Sequence, residues 1–209
     1  MELSAKTVAV VTGAGSGIGR AVALALGRRG AAVALVDIDG EGLDETASGV
    51  GGRVSVHVAD VADRARMEAL PEEVLAAHGS VSLLVNNAGV AIAAPFEAQS
   101  LDDFAWLMGV NFWGGVHACR FFLPHLRASG GHIAQVLSDF ALIGFPGKTA
   151  YCASKFALHG FSQALRAELH GTGVGLTCVY PGPVDTNLIR RSRTADPAKR
   201  DAEAAFVAA

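Results

Sequence analysis

The sequence predicts a single α/β domain built as a doubly wound parallel sheet, a three-layer α/β/α sandwich. Three observations carry that expectation. Short apolar runs alternate with longer amphipathic ones, most of the short runs are apolar on both faces, and the first of them ends in a glycine-rich turn. Alternating strand and helix builds a parallel sheet with right-handed crossovers. Strands apolar on both faces are those covered by helices above and below.

In chain order, strands are expected at 7–12 (TVAVVT), 32–37 (AVALVD), 54–58 (VSVHV), 82–86 (SLLVN), 132–137 (HIAQVL) and 174–180 (VGLTCVY). Helices are expected between them, at about 17–29, 40–49, 63–78, 102–127 and 150–170. After Pro181 the chain becomes charged and loop-like. One last helix is expected in DPAKRDAEAAFVAA, with Pro197 suited to its first turn.

The totals exclude several classes. With 209 residues, 51% hydrophobic and 18% charged, the chain can bury a sizeable core and is not a disordered segment. A net charge of −3 advertises neither a nucleic-acid nor an anionic membrane partner. The basic cluster Arg190, Arg191, Arg193, Lys199 and Arg200 is interleaved with acidic residues and reads as a solvated segment. Three widely spaced cysteines, Cys119, Cys152 and Cys178, form no CxxC; they fit small core residues in a reducing compartment. The N-terminus runs directly into the first strand without a leader pattern, and no apolar run reaches membrane-spanning length. A cytoplasmic protein is therefore expected. No HExxH or paired-cysteine spacing points to a metal, and no G-x-S-x-G elbow points to a serine hydrolase.

In an open parallel sheet, ligands bind beyond the carboxyl ends of the strands, so the residues just after each strand carry the functional signal. The first strand leads into TGAGSGIGR, with glycines at 13, 15, 17 and 19. Glycine permits the tight turn and lets backbone approach a phosphate at the positive end of the next helix. The spacing is G-x-x-x-G-x-G rather than the commoner G-x-G-x-x-G, and no Gly-Lys-Ser/Thr follows to make a nucleoside-triphosphate loop. The second strand ends on Asp37, 18 residues after Gly19. There a carboxylate either accepts both hydroxyls of an adenosine ribose or opens the acidic turn DIDG. The first alternative repels a 2′-phosphate. With Ile38 after Asp37 and Ser16 before Gly17, where basic residues would help bind that phosphate, NAD is favoured over NADP. The third strand leads to Asp60, a partner for the adenine amino group. The fourth ends in NNAG (86–89), whose asparagines can tie loops together over a floor of small residues. Asn111, flanked by apolar residues in mid-helix, signals a local distortion or a buried polar task. The fifth strand runs into Ser138, and Tyr151 follows 13 residues later. Lys155 lies one helical turn beyond Tyr151 on the same face, either as a surface pair or as the partner of a phenol made easy to deprotonate. The sixth runs into Pro181-Gly182.

Taken together, TGAGSGIG, Asp60, NNAG, Asn111, Ser138, Tyr151-x-x-x-Lys155 and Pro181-Gly182 resemble, in order and spacing, the short-chain dehydrogenase/reductase family over roughly residues 5–188. That resemblance implies a Rossmann-like fold and an oxidoreductase moving a hydride between a nicotinamide cofactor and an alcohol or ketone. It implies Tyr151 as the acid/base, Lys155 as its activator and a binder of the nicotinamide ribose, and Ser138 as the anchor of the carbonyl or alcohol. Asn111 would hold a water linking Lys155 to solvent. The implied cofactor contacts are Gly13, Ser16, Gly17, Ile18, Gly19, Asp37, Asp60, Val61, Asn87, Ala88, Gly89, Tyr151, Lys155, Pro181, Gly182, Val184 and Thr186, the last on the carboxamide. A nearby ammonium and a positive nicotinamide are expected to lower the phenol from its usual value of about 10.

The resemblance divides the chain into a dinucleotide-binding catalytic domain, 1–188, and a partial substrate-covering segment, 189–209, shortened relative to the family. It also implies a homo-dimer or homo-tetramer. The apolar surface of the helix at 150–170 suits either that assembly or burial within one subunit. Asp139, directly after Ser138, is unusual: it either disfavours acidic substrates or points into solvent. The expected substrate is a small or medium apolar alcohol or ketone. An epimerase or dehydratase on the same scaffold, and a non-catalytic dinucleotide-binding protein, are the competing expectations.

Overall fold

A computed structural model describes residues 2–194 together with Ala198, Asp201 and Ala205. The chain begins β1 (Val8–Thr12), α1 (Gly17–Arg28), β2 (Ala32–Asp37), α2 (Gly40–Val50), β3 (Val54–Val58), α3 (Arg64–His78) and β4 (Leu83–Asn86). It continues through β5 (Ile92–Ala93), α4 (Leu101–Met108), a π-helical segment (Gly109–Trp113), α5 (Gly114–Ser129), β6 (His132–Val136), α6 (Thr149–Glu168), β7 (Gly175–Val179), α7 (Asn187–Arg190) and β8 (Arg193–Thr194).

The six long strands form one sheet in the order β3-β2-β1-β4-β6-β7, with every pairing parallel. The sequence places the central strands correctly because their residues are apolar whichever way they point: all five residues of β1 are buried. Alternation along β1 sends Ala9 and Val11 into one core cluster, with Leu26, Leu35, Leu43 and Val50. Val10 goes to the opposite cluster, with Met67, Leu70, Leu84, Phe122 and Leu126. From β1 the chain winds outward through β2 and β3, then returns to place β4 on the other side. The crevice above β1 and β4 is therefore where the winding reverses.

Two differences from the expected elements have local causes. The helix expected over 102–127 is interrupted by the π segment, where Gly114 N–H donates five residues back to the Gly109 carbonyl. Asn111 sits in that segment and is only 1% exposed, so both alternatives raised for it, distortion and buried polar task, are realised. The loop-like stretch after Pro181 instead forms α7 and β8. β8 pairs in parallel with β5, Ile92 opposite Arg193 and Ala93 opposite Thr194. Two-residue strands are too short to carry a period. Of the helix expected at 196–209, Ala198, Asp201 and Ala205 are described, each as helix, and the rest lies outside the described residues.

Helix ends follow the side chains at them. Asp39, Asp63 and Ser100 accept the Gly42, Arg66 and Asp103 amides at 3.1, 3.1 and 3.0 Å, capping α2, α3 and α4. No helix among the described residues is long and apolar enough to cross a membrane.

Candidate active site

A cleft of about 500 Å3 opens above the carboxyl ends of β1, β2, β4 and β6, at the point where the winding reverses. Its floor is the turn after β1. Gly13 and Gly17 have φ of 68° and 54°, a region closed to most side chains. A Cβ on Gly13 would lie 2.7 Å from Asn87 Nδ2 and 2.8 Å from Ala88 Cα. Bare backbone is thus packed against the NNAG loop, a cradle that any side chain would fill. Asn87 closes this contact: its Nδ2 donates to the Thr12 and Gly13 carbonyls at 3.0 and 3.2 Å. The Thr12 hydroxyl accepts the Asn87 and Ala88 amides at 3.0 and 3.1 Å. Thr12 joins these loops and was not singled out from the sequence. A hydroxyl ending an otherwise apolar strand was the available signal.

Asp37 stands at one end of the cleft. One carboxylate oxygen accepts Gly15 N–H at 2.8 Å and the other accepts Asp39 N–H at 3.0 Å. The two alternatives for this residue coexist, since the carboxylate lines the cleft and also shapes the acidic turn. Two basic side chains occupy this corner. Arg20 is held by Glu45, Thr46 and the Gly15 and Gly42 carbonyls. Arg191, reaching over from just after α7, pairs with Asp39 at 3.3 Å.

At the other end, Ser138 follows β6 by two residues and Tyr151 and Lys155 stand one turn apart on α6; all three line the cleft. Lys155 is 4% exposed and its ammonium donates to the Val136 carbonyl at 3.2 Å. It lies 5.7 Å from the centre of the Tyr151 ring. Burial pushes Lys155 down to about 8. For Tyr151 the protein's own groups act in the other direction. Burial pushes the phenol up to about 12, a hydrogen bond with Ser138 offsets this in part, and the Asp139 carboxylate adds to it. The protein's own groups therefore hold the phenol neutral, and proximity to a lysine does not decide its state.

Of the residues expected at a cofactor, Gly13, Ser16, Gly17, Ile18, Asp37, Asp60, Val61, Asn87, Ala88, Gly89, Tyr151, Lys155, Pro181, Gly182, Val184 and Thr186 all line this one cleft. Asp60 does so with one carboxylate oxygen engaged by the Ala62 amide at 2.9 Å. Gly19 does not line it. A Cβ there would collide with the Gly13 carbonyl oxygen, so this glycine lets α1 pack closely under the turn. Asn111 is also outside the cleft. Its amide pairs with Val90, accepting N–H at 2.8 Å and donating to the carbonyl at 3.0 Å, and donates to Ser154 at 3.1 Å. It borders a separate void of about 10 Å3 behind the cleft, with Thr12, Asn86 and Gln135. Asn86 and Gln135 bond each other at 3.0 Å there, a buried amide pair that no local pattern announces.

The far wall combines Trp106, Phe140 and Leu188, with Phe140 edge-on to Tyr151 at 6.2 Å. Arg193 stacks on Trp106 at 3.6 Å and pairs with Asp103, fastening the segment after α7 to α4. Among the described residues the three cysteines are unpaired thiols.

A family model described as short chain dehydrogenase matches residues 7–197. An oxidoreductase named SadH from Mycobacterium tuberculosis is 44% identical over 195 residues, covering 90% of this chain and 71% of its own length. A D-threitol dehydrogenase from Mycolicibacterium smegmatis is 40% identical over 185 residues, covering 87% of this chain and 71% of that protein. Among solved structures, a short chain dehydrogenase/reductase from Burkholderia phymatum in complex with NAD superposes with a TM-score of 0.92 at 32% identity. The match covers 99% of this chain and 80% of that one.

Proposed function

This chain belongs to the short-chain dehydrogenase/reductase family, and from that premise we propose that Tyr151 carries the proton, with Ser138 and Lys155 beside it, while NAD rather than NADP is the cofactor. As a family member it is an oxidoreductase acting on CH–OH groups. Bound NAD supplies a hydride acceptor and a positive ring whose field lowers a neighbouring phenol. In alcohol oxidation the carbinol carbon would lose its hydrogen with the electron pair to that acceptor, and the hydroxyl proton would pass to Tyr151 in its phenolate form; in ketone reduction neutral Tyr151 would give the proton back. Ser138 holds the substrate oxygen where negative charge develops. Lys155, buried and charged below about pH 8, holds a ribose hydroxyl and keeps a positive charge close to the phenol. Asn111 has committed its side chain to Val90 and Ser154 and stands behind the cleft wall.

The observation that carries this reading is the meeting, in one cleft, of the glycine turn after β1 with Ser138, Tyr151 and Lys155. The preference for NAD is supported by Asp37 at the ribose end and by the engagement of Arg20 and Arg191 with other groups. Residues 1–188 are the catalytic unit. The cover beginning at 189 already lends Ile189 and Arg191 to the cleft. Trp106, Phe140 and Leu188 favour an apolar alcohol or ketone of small or medium size. We assign the protein to the cytoplasm as a homo-dimer or homo-tetramer, with the half-exposed Trp113 and Phe156 as its contact surface.

The test is a thermal-shift titration with NADH and NADPH in parallel, followed by turnover on a panel of apolar alcohols and ketones, with D-threitol included. A ligand at 100 times its dissociation constant adds about 2.7 kcal/mol of stability. Stabilisation by NADH well beyond NADPH, with turnover abolished in Tyr151→Phe, is expected. Equal stabilisation by both would remove the NAD preference. Binding without turnover on any substrate would favour a non-catalytic role.

A further inference from the structure

Two guanidinium groups stand at the Asp37 end of the cleft, and they are held very differently. Arg20 is gripped by four groups: its Nε donates to Thr46 at 2.9 Å, and its Nη2 to Glu45 at 2.8 Å, to the Gly42 carbonyl at 3.2 Å and to the Gly15 carbonyl. The Arg191 guanidinium has one partner among the described residues, Asp39 Oδ2 at 3.3 Å, and its side chain is 64% exposed. Arg191 lines the cleft and Arg20 does not. The backbone carrying Arg191 is fixed on both sides. Before it, Thr186 packs so close to Gly17 that a Cβ on the glycine would lie 3.2 Å away. After it, Arg193 stacks on Trp106 and pairs with Asp103, and β8 pairs with β5. Loss of the Asp39 contact would therefore free the guanidinium without carrying it away from the cleft. Asp39 sits two residues after Asp37, its amide donating to Asp37 Oδ1 at 3.0 Å. The Gly42 amide, and after it Arg191, hold the Asp39 carboxyl below its usual range, so it is ionised at neutral pH.

We propose that Asp39 is a specificity-determining residue: it masks Arg191, a latent partner for a phosphate on the adenosine 2′-hydroxyl, and so adds to the rejection of NADP that Asp37 begins. This rests on the reading that the Asp37 end of the cleft takes the adenosine ribose. A free guanidinium pairs strongly with phosphate, because its planar fork of N–H groups matches the phosphate oxygens. While Asp39 is beside it, that fork is engaged and the pair presents no net charge to a ligand. Arg20, with its four acceptors, is not released by any single substitution. Discrimination at this corner then depends on one contact between segments 152 positions apart, one at the start of α2 and the other on the cover after α7.

The experiment is a double-substitution cycle read as dissociation constants for NADPH and NADH, with the unmodified protein, Asp39→Asn, Arg191→Gln and the double variant titrated side by side. Asparagine keeps a side-chain oxygen for the Gly42 amide that begins α2, so the helix cap survives. Asp39→Asn should tighten NADPH relative to NADH by about fivefold, a modest gain because the pair is exposed. Arg191→Gln should change NADPH binding little in the unmodified protein, where the guanidinium is engaged, and should remove most of the gain in the Asp39→Asn background. Equal gains from Asp39→Asn with and without Arg191 would mean that the carboxylate acts by repulsion alone, and would overturn the masking. No gain in either background would overturn it as well. Should Asp39→Asn fail to fold, Asp39→Ser, which also caps a helix, takes its place in the cycle. Asp37→Ala, titrated alongside, separates the two levels of the reading. NADH binding untouched by that substitution would sink the ribose assignment and the proposal with it, whereas weakened NADH binding beside a cycle without coupling would sink the masking alone.

Discussion

The two ends of the cleft are built on different principles. Around Gly13, Gly17 and Asp37 the surface is mostly backbone, shaped by positive φ angles and close packing, with the carboxylate held by two amides. Around Ser138, Tyr151 and Lys155 the surface is side chains whose charge states are set by burial, the phenol pushed up to about 12 and the ammonium down to about 8. The first end selects by shape and needs little energy stored in it. The second holds titratable groups where water would not leave them, so it acts by electrostatics and carries a cost in stability.

Four substitutions would break or sharpen that contrast. The largest effect is expected from Tyr151→Phe, which keeps the ring and its contact with Phe140 but removes the proton. Turnover should fall by about 10²–10⁴-fold with NADH binding retained, as steady-state rates and a binding titration would report. Next, Gly13→Ala should strike the shape-built end. A Cβ there meets Asn87 and Ala88 in a left-handed backbone, at a cost on the order of 3 kcal/mol in thermal or urea unfolding, with dinucleotide binding lost. Lys155→Met should separate the two principles most cleanly, abolishing turnover yet raising stability. The lysine has a folded value near 8 against 10.5 when free, so the unfolded chain binds the extra proton between those values. Its burden is full below about pH 8 and is relieved as pH rises towards 10. Removing it should add on the order of 1–3 kcal/mol at pH 7 and flatten the rise in stability that the unmodified protein shows from pH 8 to 10. A loss of stability in Lys155→Met would mean the ammonium is better solvated than its surroundings indicate. The smallest effect is expected from Asp37→Ala. NADH binding should weaken by about tenfold, close to one good charge-assisted pair, and NADPH should gain relative to it. Unchanged selectivity would remove Asp37 as its origin.

The same contrast explains what the sequence could reveal. The sheet was legible because β1, β2 and β4 are apolar on both faces, and the glycine turn because its conformation is written in consecutive residues. Tyr151, Lys155 and Ser138 were legible as spacing. Their protonation was not, because it depends on burial beneath Phe140 and on Asp139, which no period encodes. Asn111 was flagged by being polar in an apolar helix, but its partners Val90 and Ser154 lie 21 and 43 positions away. The β5–β8 pair and the reach of Arg191 to Asp39, 152 positions apart, join segments that share no local pattern.

The π segment at Gly109–Trp113 makes one stretch of this protein intolerant of changes in length. Losing one residue there would close the wide turn to an ordinary α-helical one, leaving Phe122 and Leu126 in register but taking Asn111 away from Val90. Between the turn at Asp139–Ala141 and helix α6, by contrast, Leu142, Ile143 and Phe145 are more than half exposed and Gly144 has open space around it. Insertions and deletions that retune what the cleft admits therefore have room at 142–147, whereas at 109–113 any change of length costs Asn111 its contact with Val90.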